Sequence, residues 1–291
     1  MLPGQLGVAI ASLLQTHFGS KTQVLGSQSV GGGCIHHATR LSTSHGDFFL
    51  KYNQLSEADN FKAEVHGLQQ LALTQTLRVP KVIGTGSTAS HAFLLLEFLE
   101  SVTPAPNHWE CFGEELAALH RHTAPQYGLD QPNYIGRLRQ FNRPQGNWID
   151  FFIQERLEIQ LKLAERDGVA PPDLRPAFET LYKQLPSLIP EEPASLLHGD
   201  LWSGNFVNGP EGYICVVDPA VYHGHREAEL AFTTLFGGFH ARFYAGYEAA
   251  WPMEAGWRER IDLFNLYPLL VHLNLFGSAY LSQIRNILRA Y

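Results

Sequence analysis

The chain has 291 residues, 45% hydrophobic and 17% charged, with a formal net charge of −7. This is enough polypeptide for one large domain or for two lobes with separate cores. The acidic balance argues against a protein that grips a nucleic-acid backbone.

In chain order, the first residues carry no basic run and no clear cleavage site, so no signal peptide is expected. Residues 5–18 place Leu6, Ala9, Ile10, Leu13 and Leu14 at helical spacing. Three strands are predicted next, at 24–25, 37–41 and 48–52, separated by a glycine cluster and by Gly46. A helix follows over 57–73 through Phe61, Val65, Leu68 and Leu71, then two more strands at 79–86 and 91–99. After this β-β-β-α-β-β half, the turn-rich stretch 100–106 marks a boundary, giving lobes of 1–99 and 100–291. Helices are predicted at 109–123, 148–167, 173–185 and in pieces of 226–250 and 256–290. Residues 263–283 contain no Asp, Glu, Lys or Arg, but Asn265, Pro268, His272, Asn274, Ser278 and Ser282 interrupt them, which predicts a buried helix and no membrane span. Within this helical half, 196–220 read as short strands and loops, the kind of irregular backbone where chemistry sits. The fold class expected is α+β, with a small antiparallel-sheet lobe carrying one main helix and a larger, mainly helical lobe.

Four features in fixed order suggest phosphoryl transfer. Gly31, Gly32 and Gly33 lie between two predicted strands, where backbone N–H groups can approach an anion, although a glycine cluster also serves an ordinary turn. Lys51 ends an apolar strand and Glu64 lies on the following helix; together they match the lysine that contacts the α- and β-phosphates of ATP and the glutamate that holds it. A solvated strand end and a solvated helix face would give the same residues. His198-Gly199-Asp200-Leu201-Trp202-Ser203-Gly204-Asn205 has the Asp-x-x-x-x-Asn spacing of a kinase catalytic loop. Asp200 would accept the proton of an acceptor hydroxyl, and Asn205 would ligate Mg²⁺ without adding charge. Asp218 ends the apolar run 214–217 ahead of Pro219, as a second Mg²⁺ ligand or as a helix N-cap. The joint order points to an ATP- and Mg²⁺-dependent kinase with an alcohol acceptor.

Gly31-Gly32-Gly33-Cys34-Ile35-His36-His37-Ala38, the 197–205 loop, and Asp218-Pro219-Ala220-Val221-Tyr222-His223-Gly224-His225-Arg226-Glu227 resemble the fructosamine/ketosamine 3-kinase family, over nearly the whole chain. That family has a protein-kinase-like two-lobed fold and is related to choline and aminoglycoside kinases. The resemblance implies phosphorylation of the 3-hydroxyl of fructosamine or ribulosamine adducts, free or protein-bound, which destabilises the adduct and releases the amine. It also implies Lys51 and Glu64 as the nucleotide anchor, Glu97-Phe98-Leu99 as an adenine-binding hinge, Asp200 as base, and Asn205 and Asp218 as Mg²⁺ ligands. His36 stands where the family often has Asn, and Asp218-Pro219-Ala220 replaces the Asp-Phe-Gly of protein kinases.

Trp202 is a candidate for stacking on the substrate, or for lobe packing. His225, Arg226, Glu227 and Glu229 fall at a predicted helix start, where acids suit the dipole, and are candidates for a structural role or for substrate contact. Cys34, Cys111 and Cys215 fit no CxxC or Cys/His ligand spacing, and their sparse count suits a reducing, cytoplasmic setting. Cys34 is expected to be a small apolar residue of the glycine loop or, as the resemblance implies, the link of a redox-sensitive homodimer, so a monomer or such a homodimer is expected. No nucleic-acid or membrane partner is expected. The alternatives are a kinase for another small alcohol (choline, homoserine or an aminoglycoside) and a non-catalytic nucleotide-binding module.

Overall fold

The computed structural model describes residues 2, 4–31 and 36–291. The chain forms two compact units, Met1–His108 with Phe206–Asp218, and Trp109–Asn205 with Pro219–Tyr291.

The first unit begins with α1 (Gly4–Phe18), followed by β1 (Val24–Ser29), β2 (His37–Thr43), β3 (Gly46–Gln54), α2 (Ala58–Thr74), β4 (Val82–Ser87) and β5 (His91–Glu97). The strands form one antiparallel sheet in the order β1-β2-β3-β5-β4. Alternation decides its faces. Leu41, Phe48, Leu50, Phe93 and Leu95 point one way and pack against Leu6, Ile10 and Leu14 of α1. Each such side chain contributes roughly 1.5–3 kcal/mol relative to exposure. Lys51, one residue out of phase with Leu50, faces the other side, where α2 supplies buried Phe61 and Glu64.

The antiparallel hairpin Phe206–Asn208/Ile214–Val216 also belongs to this unit. Backbone bonds hold it there: Val102 N–H to the Asn208 carbonyl at 2.9 Å, Ala105 N–H to that of Gly212 at 2.9 Å, and Val216 N–H to that of Arg78 at 2.9 Å. Turn composition alone places a boundary after residue 99. The contacts instead carry the first unit on to His108 and return Phe206–Asp218 to it.

The second unit is mainly helical and contains a small sheet of Tyr222–Gly224, Ala194–Leu197 and Thr123–Ala124. The uncharged segment 263–283 is not one helix: it lies in a helix over Ile261–Phe276, a 3-10 turn over Ser278–Tyr280 and the start of a helix over Leu281–Leu288. Leu263, Phe264, Leu266, Leu269, Leu270 and Leu273 are all buried, and no helix of the described residues is long and apolar enough to cross a membrane. The helix expected over 148–167 is not uniform: Trp148–Phe151 is α, Phe152–Leu157 widens into a π turn, and Glu158–Arg166 is α again. The widened turn carries the fully buried Arg156. Its guanidinium donates to the Phe141 carbonyl (2.7 Å) and Asn142 Oδ1 (2.8 Å) and lies 3.9 Å from the centre of the Tyr222 ring. A buried cation needs such carbonyls and ring faces.

Candidate active site

In the first unit, strand alternation brings Lys51 under α2, where Nζ donates to Glu64 Oε1 at 2.7 Å and also to Asp218 Oδ1. Lys51 and Glu64 are buried, whereas the Asp218 side chain is 46% exposed. Burial alone would lower the Lys51 pKa, but the Asp218 and Glu64 carboxylates outweigh it and hold the ammonium above the ordinary lysine range. Burial pushes Glu64 up to about 7, with Lys51 opposing and Asp218 adding to the rise. Asp218 sits at φ 57°, a left-handed conformation that Asp tolerates better than most residues and that concentrates at functional sites. It caps no helix.

At the end of β5, Glu97 donates its N–H to the Lys81 carbonyl at 2.8 Å, and its carboxylate accepts from Arg78 Nη2 (2.5 Å) and Lys81 N–H (3.0 Å). The Glu97 side chain is thus committed to the sheet. Phe98 lies 4.6 Å beneath the Arg40 guanidinium, and Leu99 follows without regular structure. Gly31 is exposed, while Gly32, Gly33 and Cys34 lie outside the described residues.

In the second unit, the strand Ala194–Leu197 runs directly into His198-Gly199-Asp200. Gly199 has φ +84°, and a Cβ there would come within 2.1 Å of the Ala220 carbonyl oxygen, so no other residue fits. Asn205 is buried and donates from Nδ2 to the Asp200 carbonyl (2.8 Å) and to Asp200 Oδ2 (2.9 Å). Both of those oxygens accept, which fixes the amide orientation and turns Asn205 Oδ1 towards other partners. Asn205 Oδ1 and the Asp218 carboxylate are hard oxygen donors. Each is of the chemical kind that Mg²⁺ takes as a ligand.

The residue that sequence reasoning under-read is Glu229. Its Oε2 accepts from His198 N–H (2.9 Å) and its Oε1 from Gly199 N–H (2.6 Å), the two backbone groups just before Asp200. His120 Nε2 lies 3.0 Å from Oε2, and His120 Nδ1 lies 2.7 Å from the Tyr247 hydroxyl. Glu229, His120 and Tyr247 are all buried. Burial would raise the Glu229 carboxyl, but the His120 bond, with help from the Gly199 N–H, reverses this and holds it below the ordinary range. The sequence signal was available: Glu227 and Glu229 sit on a helix whose neighbours Leu230, Ala231 and Phe232 are apolar. The rest of that run is structural. His225 caps Arg226–Thr234 by accepting from Glu227 N–H, Arg226 pairs with Glu192, and Glu227 pairs with Arg260.

Trp202 is half-buried with its ring over Gly204, where a Cβ would fall 2.3 Å from a ring carbon. It meets Phe236 edge-on at 6.0 Å, and Phe236 meets His272 at 4.5 Å. Phe236 is 39% exposed and held at φ 58°. His272 donates from Nδ1 to the Pro268 carbonyl at 2.7 Å, which leaves Nε2 as an acceptor in the neutral ring, and burial lowers its pKa. The other tryptophans pack: Trp148 against Phe151 and Phe152, Trp109 against Phe239 and Phe243, Trp257 against Tyr244, and Trp251 beneath Arg226.

Comparison with known proteins identifies the family. The family model for fructosamine kinase matches residues 7–291. A protein of Synechocystis sp. named "Probable ketoamine kinase" is 41% identical over 281 residues, covering 96% of this chain and 95% of its own. The chloroplastic protein-ribulosamine 3-kinase of Arabidopsis thaliana is 36% identical, covering 94% of this chain and 84% of its own. A crystal structure from Haemophilus somnus, assigned as a fructosamine-3-kinase, superposes with a TM-score of 0.87 at 30% identity, covering 97% of this chain and 96% of its own. The aminoglycoside phosphotransferase APH(4)-Ia shares the fold, with a TM-score of 0.64 at 18% identity over 98% of this chain and 99% of its own. With a family model spanning nearly its whole length and relatives matched end to end, the chain belongs to the fructosamine kinase family.

Proposed function

We propose that this protein transfers the γ-phosphoryl group of ATP to the 3-hydroxyl of ketosamines, the adducts of fructose or ribulose with amines. The observation that carries the reading is the Asp200 loop, a carboxylate anchored from behind by Glu229 and from its own carbonyl by Asn205, in a chain of this family.

Asp200 accepts the proton of the acceptor hydroxyl as its oxygen bonds the γ-phosphorus, while the bond from that phosphorus to the bridging oxygen of ADP breaks. Lys51, oriented by Glu64, holds the α- and β-phosphates. The first unit is the nucleotide-binding lobe, with the Glu97–Leu99 backbone meeting adenine and Gly31–Gly33 covering the phosphates. The second unit is the acceptor lobe. Asn205 and Asp218 would hold Mg²⁺, which would supply neutralisation of phosphate charge. Lys51 also pairs with Asp218, which places a cation beside the candidate metal-ligating carboxylate. Trp202 supplies an aromatic face to the sugar-amine, with Phe236 and His272 continuing that wall. The 3-phosphate destabilises the adduct and the amine is released.

The test is ADP release by wild-type and Asp200→Asn protein on fructosyl-lysine, ribulosyl-lysine, choline, homoserine and an aminoglycoside. Turnover on the two ketosamines, lost in the variant, supports the reading. Turnover confined to one of the other alcohols overturns it.

A further inference from the structure

The position of His36 can be derived from the sheet. In the β2–β3 pairing Ala38 lies opposite Lys51 and His37 opposite Tyr52, so the next position, His36, falls opposite Asn53. Two-residue alternation then places His36, Ala38, Lys51 and Asn53 on one face, the face covered by α2. The contacts agree. His36 Nδ1 lies 3.1 Å from Asn53 Nδ2, and the imidazole packs 4.7 Å from the ring of Phe61, one helical turn before Glu64.

The tautomer follows from the hydrogen bonds. Asn53 Oδ1 accepts from Gln54 N–H at 2.8 Å, which fixes the amide with Nδ2 towards His36. An amide nitrogen only donates, so His36 Nδ1 is the acceptor and the ring proton sits on Nε2. Burial, with Lys51 adding to it and Asp218 opposing, lowers the ring's pKa to about 4. The ring is therefore a neutral donor, fixed at one nitrogen, beside the lysine of the candidate nucleotide anchor.

We propose that His36 is a phosphate-binding residue whose Nε2–H donates to a non-bridging oxygen of the bound nucleotide. Lys51 supplies charge to the phosphates, and His36 supplies a directed neutral donor from the position just before β2. The inference rests on the proposed use of ATP.

The test pairs NMR with nucleotide binding. Long-range ¹H–¹⁵N spectra should show the Nε2–H tautomer in the free protein, with that resonance moving on addition of Mg²⁺ and β,γ-imido ATP. His36→Ala should weaken the ATP analogue by roughly 10- to 100-fold, the range for one donor to a charged acceptor. It should change adenosine binding by about twofold or less, because adenosine lacks the acceptor. His36→Asn, which restores a neutral N–H donor, should recover most of the loss and so controls for damage to the fold. An Nδ1–H tautomer, an unchanged analogue affinity in His36→Ala, or equal losses for the analogue and adenosine would overturn the assignment while leaving the kinase reading in place. Wild-type protein that binds no nucleotide would end both.

Discussion

Glu229→Gln is a sharp perturbation because it changes one atom type inside a closed set of partners. The carboxylate serves three donors: His198 N–H and His120 at Oε2, and Gly199 N–H at Oε1. Glutamine offers a single oxygen, so its NH₂ must face at least one backbone N–H. A hydrogen bond to a charged group contributes about 1.5–3 kcal/mol, and a buried donor left without an acceptor costs about 1–3 kcal/mol more. The expected loss is about 3–5 kcal/mol of unfolding free energy, similar to breaking a buried ion pair. Asp200 follows Gly199 directly, so slack at that N–H displaces the carboxylate, and a shift of about 1 Å costs on the order of 10² in kcat. Urea unfolding reads the first effect. Steady-state kinetics at saturating ATP and ketosamine read the second, with the KM for ATP nearly unchanged because Glu229 acts on the acceptor side. A variant within about 1 kcal/mol of wild type and within about threefold in kcat would refute the idea that Glu229 sets the loop.

Three further outcomes are expected. His225 is buried and neutral, its pKa pushed down to about 3 chiefly by burial. The unfolded chain therefore takes up a proton near pH 6.5 that the folded state refuses, and stability present above that pH falls by about 1.4 kcal/mol per unit as pH drops towards 3. His225→Asn, which can still accept from Glu227 N–H, should flatten this acid limb in urea midpoints at pH 7.5 and 5, and parallel limbs would contradict the assignment. Lys51→Met should weaken ATP binding by about 10²-fold and strand Glu64, whose carboxyl is already raised. A raised carboxyl pKa gives stability that is present at low pH and lost as pH rises, so this variant should be least stable above about pH 8, and adding Glu64→Gln should remove that dependence in thermal melts. Trp202→Ala should raise the KM for a ketosamine by about tenfold, the scale of one aromatic contact, without moving the KM for ATP. Equal rises in both would assign the ring to packing alone.

Much of the first unit was legible because its signals are local. Period-two alternation through Phe48, Leu50 and Lys51, helical spacing through Phe61 and Glu64, and glycine-marked turns each fix the backbone over a few residues, and the Lys51–Glu64 pair follows from them. The motif around Asp200 and Asn205 was equally readable, since its spacing sits within one loop. What escaped depends on bonds between distant segments. The return of Phe206–Asp218 to the first unit is held by Arg78, Val102 and Ala105. The anchoring of His198 and Gly199 by Glu229, and the π turn around Arg156, likewise join partners that no window along the chain contains together. Gly32, Gly33 and Cys34 lie outside the described residues, so the phosphate-loop glycines and the redox cysteine remain expectations from the sequence.

The most direct measurement is ³¹P NMR of a reaction containing wild-type protein, Mg²⁺, ATP and a ribulosyl- or fructosyl-lysine, run beside Asp200→Asn. A new sugar-phosphate resonance that appears in step with ADP, couples to the proton on C3, and is slowed by on the order of 10²–10⁴-fold in the variant is the expected result. ATP consumed without a ketosamine phosphate, or a variant that turns over as fast as the wild type, would contradict the central claim.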